Sequence, residues 1–241
     1  MLLRWTVWLH KWLALVIGAQ VVLWIVGGLV MVVLPIQKVR GEHHIAVAPA
    51  QALDRAKLLT LEQAIAKVEL DQVSGAVLAS TPRGPMWTIK TTYGREQPID
   101  AYSGAYLEEI SEAEARRFAE QAYAGPGKVV KATYYDQPPV RSGAYDPAFA
   151  IGFDDPEHSV LYVSAFTGEV LSRRSVVWSA YDLAWKFHIM NFKDGDNYNT
   201  PILFIASLLA AIVTFSGVVL LWIKIGRDLK VWRATSNARI S

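Results

Sequence analysis

Two long stretches without a formal charge constrain this chain of 241 residues more than anything else in it: residues 13–36 and residues 202–223. At about 1.5 Å of rise per residue, each is long enough as a helix to cross a hydrocarbon core of roughly 30 Å. No other segment qualifies. The first run exceeds the about 7–15 apolar residues of a cleavable leader. The small-x-small string Ala46-Val47-Ala48 lies well past it and is followed by Pro49. Two retained spans are therefore expected.

Charge orients them. Outside residues 36–200 stand seven basic residues against one acidic, a balance of +6, while the intervening segment holds 17 basic and 21 acidic, a balance of −4. Basic flanks stay in the cytoplasm, so both termini are expected there and residues 37–200 outside it. The basic clusters sit where such flanks belong, so they give no case for nucleic-acid binding. The chain has no cysteine. That excludes c-type haem attachment, cysteine-ligated iron–sulfur clusters and thiol chemistry, and leaves the outer segment to stand without disulfides.

The outer segment reads as a duplication. Residues 37–57 look like a linker. TLEQAIAKVE then places Leu61, Ala64, Ile65 and Val68 on one helical face, with Thr60 and Gln63 at capping-box spacing. Three strand-like runs follow: VSGAVLAS, MWTIKTT and QPIDAY. The second copy opens with SEAEARRFAEQAY, where Ser111 and Glu114 form the capping pair, and continues through KVVKATYY, AFAIGFD and SVLYVSAF. Both copies close alike, in DAYSGAYL (residues 100–107) and SAFTGEVL (residues 164–171), with Gly104 and Gly168 where a left-handed residue fits. The second copy also carries a Pro- and Gly-rich loop, YDQPPVRSGAYDP.

Helix, three strands and this closing turn resemble the PepSY domain, here present twice. The flanks resemble PepSY-associated transmembrane proteins, through His10-Lys11-Trp12-Leu13 at the start of the first span and residues 216–222 (SGVVLLW) at the end of the last. The resemblance implies a bacterial inner-membrane protein of the α+β class, with two transmembrane helices bracketing an extracytoplasmic tandem of helix-on-antiparallel-sheet units. The expected organisation is a cytoplasmic N-terminus and interfacial helix start at 1–11, a first span at 12–36, the linker at 37–57, and PepSY-like units at 58–110 and 111–175. An interfacial amphipathic helix and loop follow at 176–200, then a second span at 201–225 and a basic cytoplasmic tail at 226–241. Members of this group are thought to restrain proteases or bind ligands, and some larger ones, with four or so spans, are haem-b reductases serving ferric siderophores.

Five histidines bear on that choice. His43 and His44 adjoin Glu42 in the linker, and neighbours in an extended chain point oppositely, which is poor geometry for one metal; no metal site is expected. His158 lies at a hairpin tip and is expected to be solvated. His10 sits among Trp5, Trp8 and Trp12 at the inner interface, and reads either as an anchor or as an axial haem ligand, with Ala14 and Gly18 leaving room for a macrocycle. His188, in SAYDLAWKFHIMNF, is expected at the outer face, as a structural residue or a second ligand, with Met31 as a weaker sulfur alternative. A separation of roughly 30 Å prevents both imidazoles from holding one iron, so haem b would need a homodimer or a membrane partner subunit to complete it.

Two functions stay open. One is haem-linked transmembrane electron transfer to an acceptor such as a ferric chelate. The other is an accessory role, in which the periplasmic units dock a peptidase, another protein or a ligand. Ala206, Ala210, Thr214 and Gly217 form a small-residue stripe suited to helix packing, and Gln20 is expected to face a helix. Tyr134, Tyr135 and Trp178 could stack on a ligand but read first as packing. The acidic pairs Glu108-Glu109 and Asp154-Asp155 read as solvated turns. No zinc-protease, Gly-x-Ser-x-Gly, Walker or dinucleotide-binding string is present.

Overall fold

A computed structural model describes residues 2–46, 53–68, 72–193 and 197–237. The chain divides into two compact units: Leu34–Tyr181, and a helical unit formed by the chain on either side of it.

The helical unit contains α1 (Leu2–Val33), the C-terminal half of α5 (Val176–Ile189) and α6 (Pro201–Asn237). Lys11–Val33 and Pro201–Trp232 are long and apolar enough to cross a membrane. The second helix runs twelve residues beyond the expected end of its span. Lys224, Arg227, Lys230 and Arg233 are good helix formers, and nothing among them stops the helix. Burial on α1 follows one stripe, Ile17, Gln20, Val21, Trp24, Gly27 and Met31, at the spacing of helices packed side by side. Of the small stripe on α6, Ala206 is buried and Ala210 half-buried, whereas Thr214 and Gly217 are exposed.

In the other unit, α2 (Ile36–Val39) and a 3-10 turn (Glu42–His44) occupy the first part of the expected linker; residues 47–52 lie outside the described residues. The first copy lays α3 (Leu61–Ala66) on β1 (Val73–Thr81), β2 (Gly84–Thr91) and β3 (Glu96–Asp100), an antiparallel sheet in that order. The second lays α4 (Glu112–Ala122) on β4 (Val129–Tyr135), β5 (Ala148–Phe153), β6 (Val160–Ser164) and β7 (Val170–Arg174). The fourth strand was not expected. VLSRR alternates little and ends in two arginines, yet its backbone completes the edge beside β6.

Both capping boxes form reciprocally. Gln63 N donates to Thr60 Oγ1 at 3.2 Å and Thr60 N to Gln63 Oε1 at 2.9 Å. Glu114 N donates to Ser111 Oγ at 3.3 Å and Ser111 N to Glu114 Oε2 at 2.9 Å. Each helix then buries a short stripe over its sheet: Ala64, with Val68 just past the end of α3, on Ile89 and Ile99, and Ala115, Phe118 and Ala119 on Ile151, Leu161 and Val163.

The closing turns explain why the two copies look alike. Asp100 Oδ1 accepts from Tyr102 N, Ser103 N and Ser103 Oγ, and Ser164 Oγ accepts from Phe166 N and Thr167 N. Four residues after Asp100 and Ser164 the chain needs a positive φ, and Gly104 (+75°) and Gly168 (+70°) supply it. A Cβ at Gly168 would lie 2.7 Å from the Phe118 ring, and one at Gly104 2.7 Å from Lys67 Cγ. Each glycine thus lets its turn touch its helix. Between the copies, Arg83 Nη1 donates to Glu108 O at 2.7 Å and Phe166 O at 2.9 Å.

Gly168→Ala should therefore destabilise the full chain by about 1–3 kcal/mol, through left-handed strain plus the clash with Phe118; thermal unfolding in detergent micelles measures it, and an unchanged midpoint would refute the packing. Burial acts to raise the Asp100 carboxyl, but the hydrogen bonds from Ser103 and Tyr102 outweigh it and hold the group below its ordinary value. A lowered folded pKa stabilises above the unfolded value and is lost as pH falls through the folded one. Asp100→Asn should accordingly lower the unfolding midpoint at neutral pH, with the gap to the native chain closing below about pH 4.

Candidate functional site

Two histidine positions stand out: His188 in the helical unit, and the pair His43 and His44 in the other. In the helical unit, α5 carries His188. Its last two turns lie against α1. Gln20 Nε2 reaches Phe187 O at 3.5 Å, and a Cβ placed on Gly27 would stand 3.2 Å from Ala184 O and 3.8 Å from both His188 Cβ and Nδ1. The charged side chains of α5 pair: Lys186 Nζ is 3.0 Å from Asp182 Oδ2, with side chains only 24% and 11% exposed. An i,i+4 ion pair of this kind lets a helix with two charged residues enter a packed face.

His188 thereby stands beside Gly27 of α1. Gly27 is six residues, about 9 Å, inside the end of α1. The Trp185 ring stacks on the imidazole with centroids 6.3 Å apart and planes 10° from parallel. Nδ1 of His188 is buried without a hydrogen-bond partner. Met31 lies one turn beyond Gly27 on the covered stripe, and Ala14 is half-buried on the same face. Gly18 is exposed, with no atom within 4 Å of where a Cβ would be. The His10 side chain lies outside the described residues. Its backbone, 17 residues before Gly27 on an unbroken helix, is about 25 Å away along the axis. The structure does not bring the two expected ligand positions together.

The second position was missed from the sequence. The segment holding His43 and His44 is not extended. Gly41, at φ +67°, turns the chain into a 3-10 helix over Glu42–His44, and the two imidazoles stand side by side, centroids 4.0 Å apart. Ile45 then pairs with Tyr123, with Ala46 N donating to Ala122 O and Ala124 N to His44 O, so the end of α4 fixes His44 in place. Glu157 joins them: His43 Nε2 is 3.4 Å and Lys38 Nζ 3.7 Å from its Oε1.

What holds Glu157 there is Asp155. Read from the sequence as solvated, it is 1% exposed, because it serves as the inner brace of the β5–β6 turn. Its carboxylate accepts from Ser159 N at 2.7 Å, Ser159 Oγ at 2.9 Å and Glu157 N at 3.2 Å. His158 occupies the exposed apex at φ +49°. A glycine before Glu-His-His was the available signal, since it marks a tight turn where a linker would run straight.

The aromatic candidates serve packing. Tyr134 donates its hydroxyl to Glu109 Oε1 at 2.9 Å and tilts against Phe149, and Trp178 lies under the Arg174 guanidinium at 4.2 Å.

Two membrane-crossing helices flanking a doubled helix-on-sheet domain define a membrane-anchored tandem-domain protein. The chain belongs to the PepSY-associated TM region family, which matches residues 7–241. No curated protein and no solved structure matches it.

The α1–α5 contact is directly testable, because the chain has no native cysteine to interfere. With Gly27→Cys and His188→Cys together, the 3.8 Å between the Cβ positions suits a disulfide. Oxidised protein nicked between the helices should keep its fragments joined until reduced; fragments that separate without reductant would place α5 elsewhere.

Proposed function

We propose that the protein carries electrons across the bacterial inner membrane through b-type haem, with His188 as an axial ligand. The observation behind this reading is the buried, unpartnered Nδ1 of His188 beside Gly27. An ionisable side chain at membrane depth is costly and is retained for a role. Bound haem would supply one-electron chemistry, and the chain's part is to hold the imidazole, fix its plane through Trp185 and keep water from it.

The fit is half a site. Among the described residues no second imidazole faces His188, and the backbone of His10 is too far along α1 to share its iron. A second copy of the chain or a membrane partner subunit would complete each pair, His188 with His188 and His10 with His10, and Met31 is the nearby sulfur alternative. Cytoplasmic termini follow from the +6 balance of the flanks. The acceptor would be a ferric chelate met by the outer domain.

The test is absorbance. Full-length protein from haem-replete cells should show a Soret band that His188→Ala reduces or abolishes, with His10→Ala removing any remainder. Colourless, well-folded protein would end this reading. The second reading, an accessory protein whose outer domain docks a partner, draws on the exposure of Tyr145 (83%) and Val140 (70%) in the loop before β5. It requires that both histidine variants leave the cellular activity intact.

A further inference from the structure

We propose that His43, His44 and Glu157 form a binding site for a divalent first-row transition-metal ion, separate from any haem. The ligand atoms of the three all lie within 4.8 Å of one another. For donors about 2.1 Å from a tetrahedral centre the ideal separation is about 3.4 Å, which is the distance between His43 Nε2 and Glu157 Oε1. A small movement of the exposed His43 ring closes the rest.

Two further atoms point the same way. Glu157 Oε2 and His44 Nδ1 are both buried and neither has a hydrogen-bond partner. A buried carboxylate oxygen without a donor loses the full cost of its desolvation. A cation among the three residues would balance that carboxylate and give the imidazoles' lone pairs an acceptor. The protein neighbours cannot do this equally well. Lys38 reaches only Oε1, at 3.7 Å, from a side chain half in solvent. Arg173 packs its aliphatic stem on Gly41 and leaves its Nε unpaired.

Two imidazoles and one carboxylate select the metal class. Nitrogen donors disfavour calcium and magnesium, and the absence of thiolate disfavours copper(I), leaving ions of the zinc, iron(II) and cobalt(II) kind. Three protein ligands leave at least one position open to water or an exogenous ligand. Lys38 and Arg173 put positive charge nearby, so the affinity should be moderate, and Lys38 is free to swing outward. The site is also braced. Asp155 orients Glu157 through its backbone N–H, and the pairing of Ile45 with Tyr123 holds His44, as supporting contacts do in metal sites.

Cobalt(II) is the probe, because its ligand-field bands report nitrogen and oxygen coordination directly. Titrated into full-length protein in detergent micelles, with any affinity tag removed, it should bind at one ion per chain, be displaced by zinc(II) and raise the unfolding midpoint. His44→Ala, Glu157→Gln and the surface change His43→Ala should each weaken binding by about tenfold or more. His158→Ala, one residue from Glu157 but facing solvent, and His188→Ala should leave it unchanged. No cobalt binding by the native chain, or binding that survives Glu157→Gln and His43→Ala in folded protein, overturns the proposal, as does loss of binding in His188→Ala. A native chain that shows no haem absorbance but still binds cobalt would remove the electron-transfer reading and leave this one standing.

Discussion

A helix can lie backbone to backbone against another only where a side chain is missing, and on α1 that place is Gly27. This contact seats α5 on α1 beside the pairing with α6. It admits α5 close enough for Gln20 to reach a carbonyl of its last turn, and it brings His188 next to the apolar stripe. In a low-dielectric setting each polar group that enters must bring its partner. Asp182 and Lys186 meet that condition by pairing with each other, and Gln20 meets it through Phe187. The imidazole Nδ1 does not, which is why His188 carries the functional reading.

Much of the fold was readable because local chemistry and global packing agree. The spans follow from uncharged length, the helix starts from Thr60 and Ser111, and the repeat boundary from a turn that needs Gly104 and Gly168. Where the structure differs from the local reading, a specific turn, pairing or distant partner that spacing alone does not show decides the geometry. Asp182 and Lys186, four residues apart on α5, pair with each other. Asp155 looks solvated because Asp-Asp-Pro reads as a turn, and the turn does exist; its second carboxylate simply points inward to hold it. His43 and His44 were set aside on the geometry of an extended chain. A single positive-φ glycine replaces that geometry with a 3-10 helix. Partners supplied by distant strands, such as Glu157 for His43, leave no trace in local spacing.

The two copies share a scaffold and have diverged in what they carry. The first closes on Asp100, a titratable brace, where the second uses Ser164. The second adds β7, the long loop before β5, and the Asp155 turn that presents Glu157. Its helix α4 also receives the segment after α2, through the Ile45–Tyr123 pair, so the histidines of the N-terminal connection end up on the second copy. The candidate metal cluster is thus assembled from two parts of the chain, the turn after α2 and the β5–β6 turn, and only the duplicated core beneath it is generic.

The sheet edges bear on the accessory reading. An open strand invites another chain to add to it, and proteins blunt such edges with proline, bulges or charge. Here β3 carries Pro98 in its middle, β1 is bulged between Val73 and Gly75, and β4 between Val129 and Lys131. The outer strand β7 ends in Arg173 and Arg174 and is irregular against β6. All four outer strands are blunted. Strand addition is therefore a poor route for a partner, and any protein that docks on this domain has to use side chains instead. The loop before β5 offers them: Val140 and Tyr145 stand in solvent, while Ser142 beneath them is buried and bonded back to Ala144, Pro139 and Ser172. A rigid base under exposed apolar tips favours recognition by preformed shape over ordering on contact.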